Sequence, residues 1–320
     1  MVRGSSPRGG SVITMSEHEI IKNIIGKYSY VEDDVYVDKD NNMYKIDGFK
    51  LDYTFNFMDF YDIGWKAVTA VMSDIFSKGG VPKFILSSLG IDKKYVSQIE
   101  DIVRGIKDAS DYYGSQYIGG DLNSASTTGW IDIAGVGKAI CYKDVKNIQE
   151  NDIVIISNFI GYTSIVFLSY INNWKIKLTE TEINKVRHPI INRRIKDLFE
   201  NYCSSINYST DISDGLIVSL YNIIERSKKG IELLDLPFSK NVIEKTYEYG
   251  IKIDDLLKYG GEEFETLIVV KHDNASEIID YMEYLGFSPN IIGRVTSRAV
   301  LEYKKSIIKK TGWDNFTGWF

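Results

Sequence analysis

The sequence is short of residues on which many enzymes and binding proteins depend. Its 320 residues include two cysteines, Cys141 and Cys203, far apart and without a Cys-x-x-Cys spacing, and three histidines, His18, His188 and His272. A zinc site built from these is not expected, and neither is a Ser-His-Asp hydrolase set. No apolar run approaches the ~20 residues of a membrane-spanning helix, and the start lacks the basic-then-apolar pattern of a secretory signal, so a cytoplasmic location is expected. Lys and Arg number 38 against 44 Asp and Glu, a formal net charge of -6. That balance argues against nucleic acid held on a general basic surface. There is no GxxxxGK[ST] loop, no GxGxxG fingerprint and no kinase HRD or DFG set, which disfavours the common nucleotide-binding folds.

What is present is an ordinary globular composition, 44% hydrophobic and 26% charged, at a length suited to two domains. Residues 1–14, rich in Gly and Ser and followed by Met15, read as an expression leader. The remaining pattern is α+β. Alternation predicts strands within 35–55 and near 83–89, 116–118 and 131–139, and helical spacing predicts helices over 62–78 and 98–113. The polar stretch from Lys143 to Asn151 divides an amino-terminal domain, 15–145, from a carboxy-terminal one, 146–320. The second half mixes helices near 163–171, 192–202, 216–227 and 274–285 with strands near 152–156, 231, 266–270 and 291–295.

Four constellations can carry chemistry. Asp74 falls on the helical stripe of Ile63, Ala67, Ala70 and Val71; there it is either a helix-end residue at a wet edge or a buried acid that needs a cation, a metal or several donors. Gly119-Gly120-Asp121 follows a short strand and is either an ordinary turn or a place where backbone amides approach a phosphate while Asp121 holds its magnesium. Asp211-Ile212-Ser213-Asp214-Gly215-Leu216 puts two acids at a helix start. A cap explains one of them, whereas both can share metal ions beside the amino-terminal N–H groups. Gly260-Gly261-Glu262-Glu263-Phe264-Glu265 leads three acids into an apolar strand. The acids Glu32-Asp33-Asp34 and the lone Asp47 read equally as solvated edges or as ligands.

Taken in order, these segments, together with Gly64-Trp65-Lys66-Ala67, Ser73-Asp74, Gly293-Arg294-Val295 and Gly312-Trp313-Asp314-Asn315-Phe316, resemble the thiamine-monophosphate kinases of the aminoimidazole ribonucleotide synthetase-like superfamily. The resemblance spans nearly the whole chain after the leader. It implies an amino-terminal α+β domain whose strands pair with those of a second subunit into a β-barrel, a carboxy-terminal α+β domain beside it, and a homodimer. It also implies a magnesium-dependent phosphotransferase acting on ATP and thiamine monophosphate. On this basis the magnesium ligands are Asp33, Asp47, Asp74, Asp121, Asp211 and Asp214. Gly120, Asp121, Ser213 and Lys146 attend ATP, and Thr54, Glu262, Trp313 and Phe316 attend the thiamine phosphate.

Several positions depart from the family pattern. A Glu, a Gly and a His that commonly precede Phe55 are Leu51, Asp52 and Thr54 here, and a hydroxyl-bearing pair before Asp47 is Lys45-Ile46. Val71 replaces an Asn, Glu263 replaces the second acid of a GGED motif, and an arginine near Val145 is missing, leaving Lys143 or Lys146 for its charge. Direct transfer to an acceptor phosphate needs no strong general base. The competing readings are a sister ATP-using activity on another small substrate and a non-catalytic ATP-binding dimer. The sister activities that rely on a reactive cysteine near either end have no counterpart in this sequence.

Overall fold

The computed structural model describes residues 15–29 and 33–320, so the leader and Glu32 lie outside the described residues. After α1 (Glu17–Asn23), strands β1 (Tyr36–Val37), β2 (Asn42–Lys50), β3 (Gly80–Ile91), β4 (Gln116–Ser124) and β5 (Gly129–Ala139) form a sheet in the order β1-β2-β5-β3-β4. All neighbours are antiparallel except β3 and β4. Helices α2 (Phe60–Ser77) and α3 (Ile99–Tyr113) cover one face. Asp59 and Asp62 form a reciprocal capping box that starts α2. Its buried Ile63, Ala67, Val71, Met72 and Ile75 share a core with Met43, Ile131 and Ile133, and each large aliphatic side chain buried contributes about 1.5–3 kcal/mol. The two helices approach closely because both carry glycine at the crossing. A Cβ on Gly64 would fall 2.1 Å from the Ile102 carbonyl oxygen, and one on Gly105 would fall 2.1 Å from that of Tyr61.

The second sheet takes β6 (Ile153–Ile156), β7 (Ile206–Asp211), β8 (Gly230–Leu233), β9 (Thr266–Val270), β10 (Asn290–Thr296), β11 (Leu301–Tyr303) and β12 (Ser306–Ile307) in the order β12-β11-β8-β10-β6-β9-β7. It is antiparallel except for β8 and β11. Strands β6 and β9 are buried along their full length, which is why they read as unbroken apolar runs. Around them lie α4 (Tyr162–Ile171), α5 (Glu180–Arg187), α6 (Ile195–Tyr202), α7 (Leu216–Ser227), α8 (Lys240–Tyr249), α9 (Ile253–Lys258) and α10 (Ala275–Tyr284). One apolar cluster runs from Met43 and Ile133 through Phe76 to Phe199, Ile268 and Met282, joining the two sheets across α2.

Among the described residues of one chain the first sheet is open, with β1 and β4 at its edges; the expected barrel is one completed by a second subunit. Two features differ from expectation. Gly119 and Gly120 do not end their strand: β4 continues to Ser124, with Gly119 at φ +121° beside a register shift. A Cβ on Gly120 would lie 2.0 Å from the Ser87 carbonyl oxygen, so the glycine answers to strand contact. Strand β3, expected near 83–89, begins earlier and includes Pro82, which lies ahead of the first pair with β4 at Phe84 and beside a shift in the β3–β5 ladder, where a residue without N–H is tolerated. Cys141 and Cys203 form a disulfide with a Cα–Cα distance of 5.5 Å. Among the described residues, no helix is long and apolar enough to cross a membrane.

Candidate functional site

Helix α2 carries one polar face toward the second sheet. Lys66, Ser73, Asp74 and Ser77 are buried there. The Ser73 hydroxyl donates to Asp211 Oδ2 at 2.6 Å, and Asp211 ends β7. Asp34, from the segment before β1, accepts from the Thr210 hydroxyl at 2.7 Å. Asp34, Asp74 and Asp211 thus come from three separate segments, and each offers a carboxylate oxygen within 4.8 Å of the others. The loop 212–215 after Asp211 is held by backbone pairing. The Glu262 N–H donates to the Ser213 carbonyl at 2.5 Å, the Phe264 N–H donates to Ile212 at 2.9 Å, and the Trp313 N–H donates to Asp214 at 3.3 Å. Glu262 and Phe264 adopt left-handed φ values of 53° and 51°, a conformation that costs non-glycine residues energy and is found where surroundings enforce it.

Residues 32–139 match the description "AIR synthase related protein, N-terminal domain". A thiamine-monophosphate kinase of Pyrococcus abyssi is 28% identical over 326 residues, covering 96% of this chain and 98% of its own. One of Aquifex aeolicus is 27% identical over 258 residues, covering 79% and 81%. The first of these matches places residues 32–139 in the AIR synthase-related family. Among solved structures, AaThiL complexed with AMPPCP and TMP superposes with a TM-score of 0.81 at 23% identity, covering 94% of this chain and 97% of that one. A HypE–HypF complex superposes at 0.75 and 22%, covering 91% and 99%. These two likenesses establish a shared fold.

Fixed cations divide the acids of the site unequally. Lys78, at the end of α2 and fully buried, lies 2.5 Å from Asp33, 3.1 Å from Asp34 and 2.7 Å from the Tyr208 hydroxyl. Asp33 also meets Arg226 at 2.8 Å and accepts from the Tyr142 hydroxyl at 2.9 Å. Burial works to raise the Asp34 carboxyl, but Lys78, the Thr210 hydroxyl and Arg226 outweigh it and hold it at about 2. Asp74 behaves differently: burial pushes it well above the carboxylate range, although Lys45 opposes this. Burial, reinforced by Asp34, pushes Asp211 up to about 6; burial, reinforced by Glu17 and Asp211, pushes Asp214 up to about 7. Neither Asp211 nor Asp214 has a described lysine or arginine at salt-bridge distance.

The structure gathers some expected residues and scatters others. Asp74 and Asp211 meet, half-exposed Asp47 is close enough to perturb both, and Asp211 and Asp47 in turn act on Asp214. At the amino-terminal end the meeting acid is Asp34, while Asp33 is consumed by Lys78, Arg226 and Tyr142. Asp121 is exposed on edge strand β4 and bonds Asn123 at 2.7 Å; neither it nor Gly120 belongs to the buried group. Lys146 lines a polar cavity of about 700 Å³ with Lys143 and Lys271, near Asn207 at the opposite end of β7 from Asp211. Ser213 is half-buried beside the acids.

Of the residues expected at the thiamine phosphate, Glu262 is paired in a fork by buried Lys66, at 2.7 and 2.8 Å. Thr54 is half-buried between β2 and α2. Trp313 meets Tyr53 and Trp319 edge to face, with centroids 6.3 and 5.0 Å away, whereas Phe316 is 61% exposed. Glu263 and Glu265 serve the second unit. Glu263 accepts from the Gly161 N–H and the Thr163 hydroxyl at the start of α4, and Glu265 accepts from Ser157, Asn158 and Lys185. Lys45, Lys66, Lys78 and Arg226 are the residues that sequence reasoning missed. Only Lys45 left a signal, since β2 alternates Met43, Lys45, Asp47 and Phe49 toward α2.

Proposed function

We propose that this chain transfers the γ-phosphoryl group of ATP to thiamine monophosphate with magnesium, giving ADP and thiamine diphosphate. The observation that carries the reading is the group of half-buried Asp34 with buried Asp74 and Asp211, supported by thiamine-monophosphate kinase relatives that align over most of the chain. Its donor set fits magnesium: the ligands are carboxylate oxygens without nitrogen or sulfur, which is what a hard divalent ion selects. Asp34, Asp74 and Asp211 would hold it, with Asp47 and Asp214 beside them. Bound there, magnesium neutralises phosphate charge and orients the transferring group.

The chain's own residues preorganise the site. Ser73 fixes the Asp211 carboxylate, Lys78 and Thr210 fix Asp34, and loop 212–215 leads into α7, whose first N–H groups suit a phosphate. The acceptor phosphate oxygen is already ionised at neutral pH, so no histidine is required; His188 and His272 pair instead with Asp62 and Asp273. Exposed Phe316 and half-buried Trp313 offer aromatic faces for the thiamine rings, worth ~0.5–2 kcal/mol each by stacking or cation–π attraction. In this reading residues 15–145 and 146–320 are the two domains, and the chain works as a homodimer. Apolar side chains on the uncovered sheet face support the dimer. Ile46, Ala134 and Leu86 lie in register across β2, β5 and β3, and Ile46, Leu86 and nearby Ile118 are exposed.

The test is turnover of purified protein with ATP, magnesium and thiamine monophosphate, with chromatographic detection of thiamine diphosphate. Equal amounts of ADP and thiamine diphosphate are expected. ADP release that ignores thiamine monophosphate, or no reaction at all, rejects the reading.

A further inference from the structure

The ammonium of Lys45 lies among the site's acids, 2.7 Å from Asp74 Oδ2 and 3.4 Å from Asp47 Oδ2, on a side chain that is 18% exposed. Strand β2 puts it there. Lys45 pairs with Gly135 of β5 and shares the α2-facing side of the sheet with Met43 and Phe49. Its cross-strand neighbour has no side chain, and a Cβ on Gly135 would come within 2.4 Å of Val71 Cγ1. A lysine directed inward is costly unless paired, and this one is paired twice.

The fixed charges fall into sets. Lys78 and Arg226 serve Asp33 and Asp34, Lys45 serves Asp47 and Asp74, and Asp211 and Asp214 are left without a described lysine or arginine partner. We propose that Lys45 is a resident cation occupying the place between Asp47 and Asp74 that a metal ion would otherwise take, so that divalent ions are needed only at the Asp34–Asp74–Asp211 group. The inference rests on reading that group as the magnesium site for ATP. Lys45 is then a positioning residue: it holds the Asp74 carboxylate from one side while leaving it available to a metal on the other.

The experiment counts Mn²⁺ ions bound per chain by electron paramagnetic resonance, with a non-hydrolysable ATP analogue at saturation. The wild type is compared with Lys45→Met and with the double variant Lys45→Met, Asp47→Asn. Lys45→Met is expected to bind one ion more than the wild type, and the double variant to return to the wild-type count. In chelator, Lys45→Met should melt several degrees below the wild type and regain that difference when Mn²⁺ is added. An equal count in the wild type and Lys45→Met overturns the role of Lys45 while leaving the metal site standing. A double variant that binds fewer ions than the wild type also overturns it, because Asp47 would then be holding a metal in the native protein. That arm decides the matter even if Lys45→Met does not fold. A wild type that binds nucleotide with no Mn²⁺ rejects the metal site and this inference together.

Discussion

Replacing Lys78 with Met tests whether buried charge holds the amino-terminal acids against the second sheet. The side chain is 1% exposed, its ammonium contacts Asp33, Asp34 and the Tyr208 hydroxyl, and it lies 4.0 Å from the Tyr208 ring centroid. Methionine retains most of the stem, so little cavity opens and the loss is mainly electrostatic. Asp33 would keep Arg226 and Tyr142, but Asp34 would keep only the Thr210 hydroxyl as a close partner. Breaking one side of a buried ion pair costs about 3–5 kcal/mol. The retained Arg226 argues for about 3 kcal/mol, which for a chain of 320 residues lowers Tm by about 4–5 °C.

The measurement is thermal unfolding followed by circular dichroism, at neutral pH and again in acid. Asp34 is held below its ordinary value, so its contribution is present above about pH 4 and is lost as pH falls toward 2. In Lys78→Met that acid-dependent loss should shrink. Adding Asp34→Asn to Lys78→Met should recover part of the lost stability, because the stranded charge is gone. A single variant that melts within a degree or so of the wild type, or a double variant no more stable than the single, refutes the reasoning.

Asp211→Asn and Asp74→Asn each remove a charge with little change of shape, and calorimetry should then show no magnesium-dependent ATP binding; a folded Asp74→Asn protein that binds like the wild type removes Asp74 from the ligand set. Burial pushes Asp211 and Asp214 above the ordinary carboxylate range, to about 6 and about 7. Their contribution is therefore complete below about pH 4 and is lost as pH rises through those values. Metal-free protein should accordingly lose Tm between pH 5 and 8, with magnesium reducing the loss, and a magnesium effect that is the same at both ends contradicts this. Trp313→Ala should lower Tm because Trp313 packs on Tyr53 and Trp319, while Phe316→Ala should leave Tm unchanged and raise KM for thiamine monophosphate several-fold. An unchanged KM in Phe316→Ala withdraws the ring from the substrate site.

Periodic elements were legible in the sequence because burial imposes the period. Helix α7 and strand β9 appear over the residues predicted, and α2 and α3 differ from prediction only at their ends. Strand β7 was invisible because Ile206-Asn-Tyr-Ser-Thr-Asp211 is mostly polar, yet every residue in it is buried; hydrogen bonds to other segments, from Asn207 to Asp152, Lys78 to Tyr208, Thr210 to Asp34 and Ser73 to Asp211, make that possible. The same reason hid half of the site. Asp74 announced itself by occupying an apolar stripe, whereas Lys78 sits beside Gly79 at a helix end, where a lysine is ordinarily solvated. Choosing between Asp33 and Asp34 depends on the side to which each carboxylate turns, and consecutive acids carry no local mark of that. Cys141 and Cys203 offered no spacing rule either, since their closeness arises from the packing of α6 near the end of β5.

The disulfide makes part of this protein a closed ring. Its two ends are 62 positions apart in sequence, and between them run β6, α4, α5 and α6. A single backbone cut anywhere inside that span therefore yields two pieces that still travel as one molecule until the bridge is reduced. A cut in β5 or β7, just outside it, severs the chain outright. Limited proteolysis resolved on paired reducing and non-reducing gels would thus map each cleavage as inside or outside the ring without sequencing a fragment.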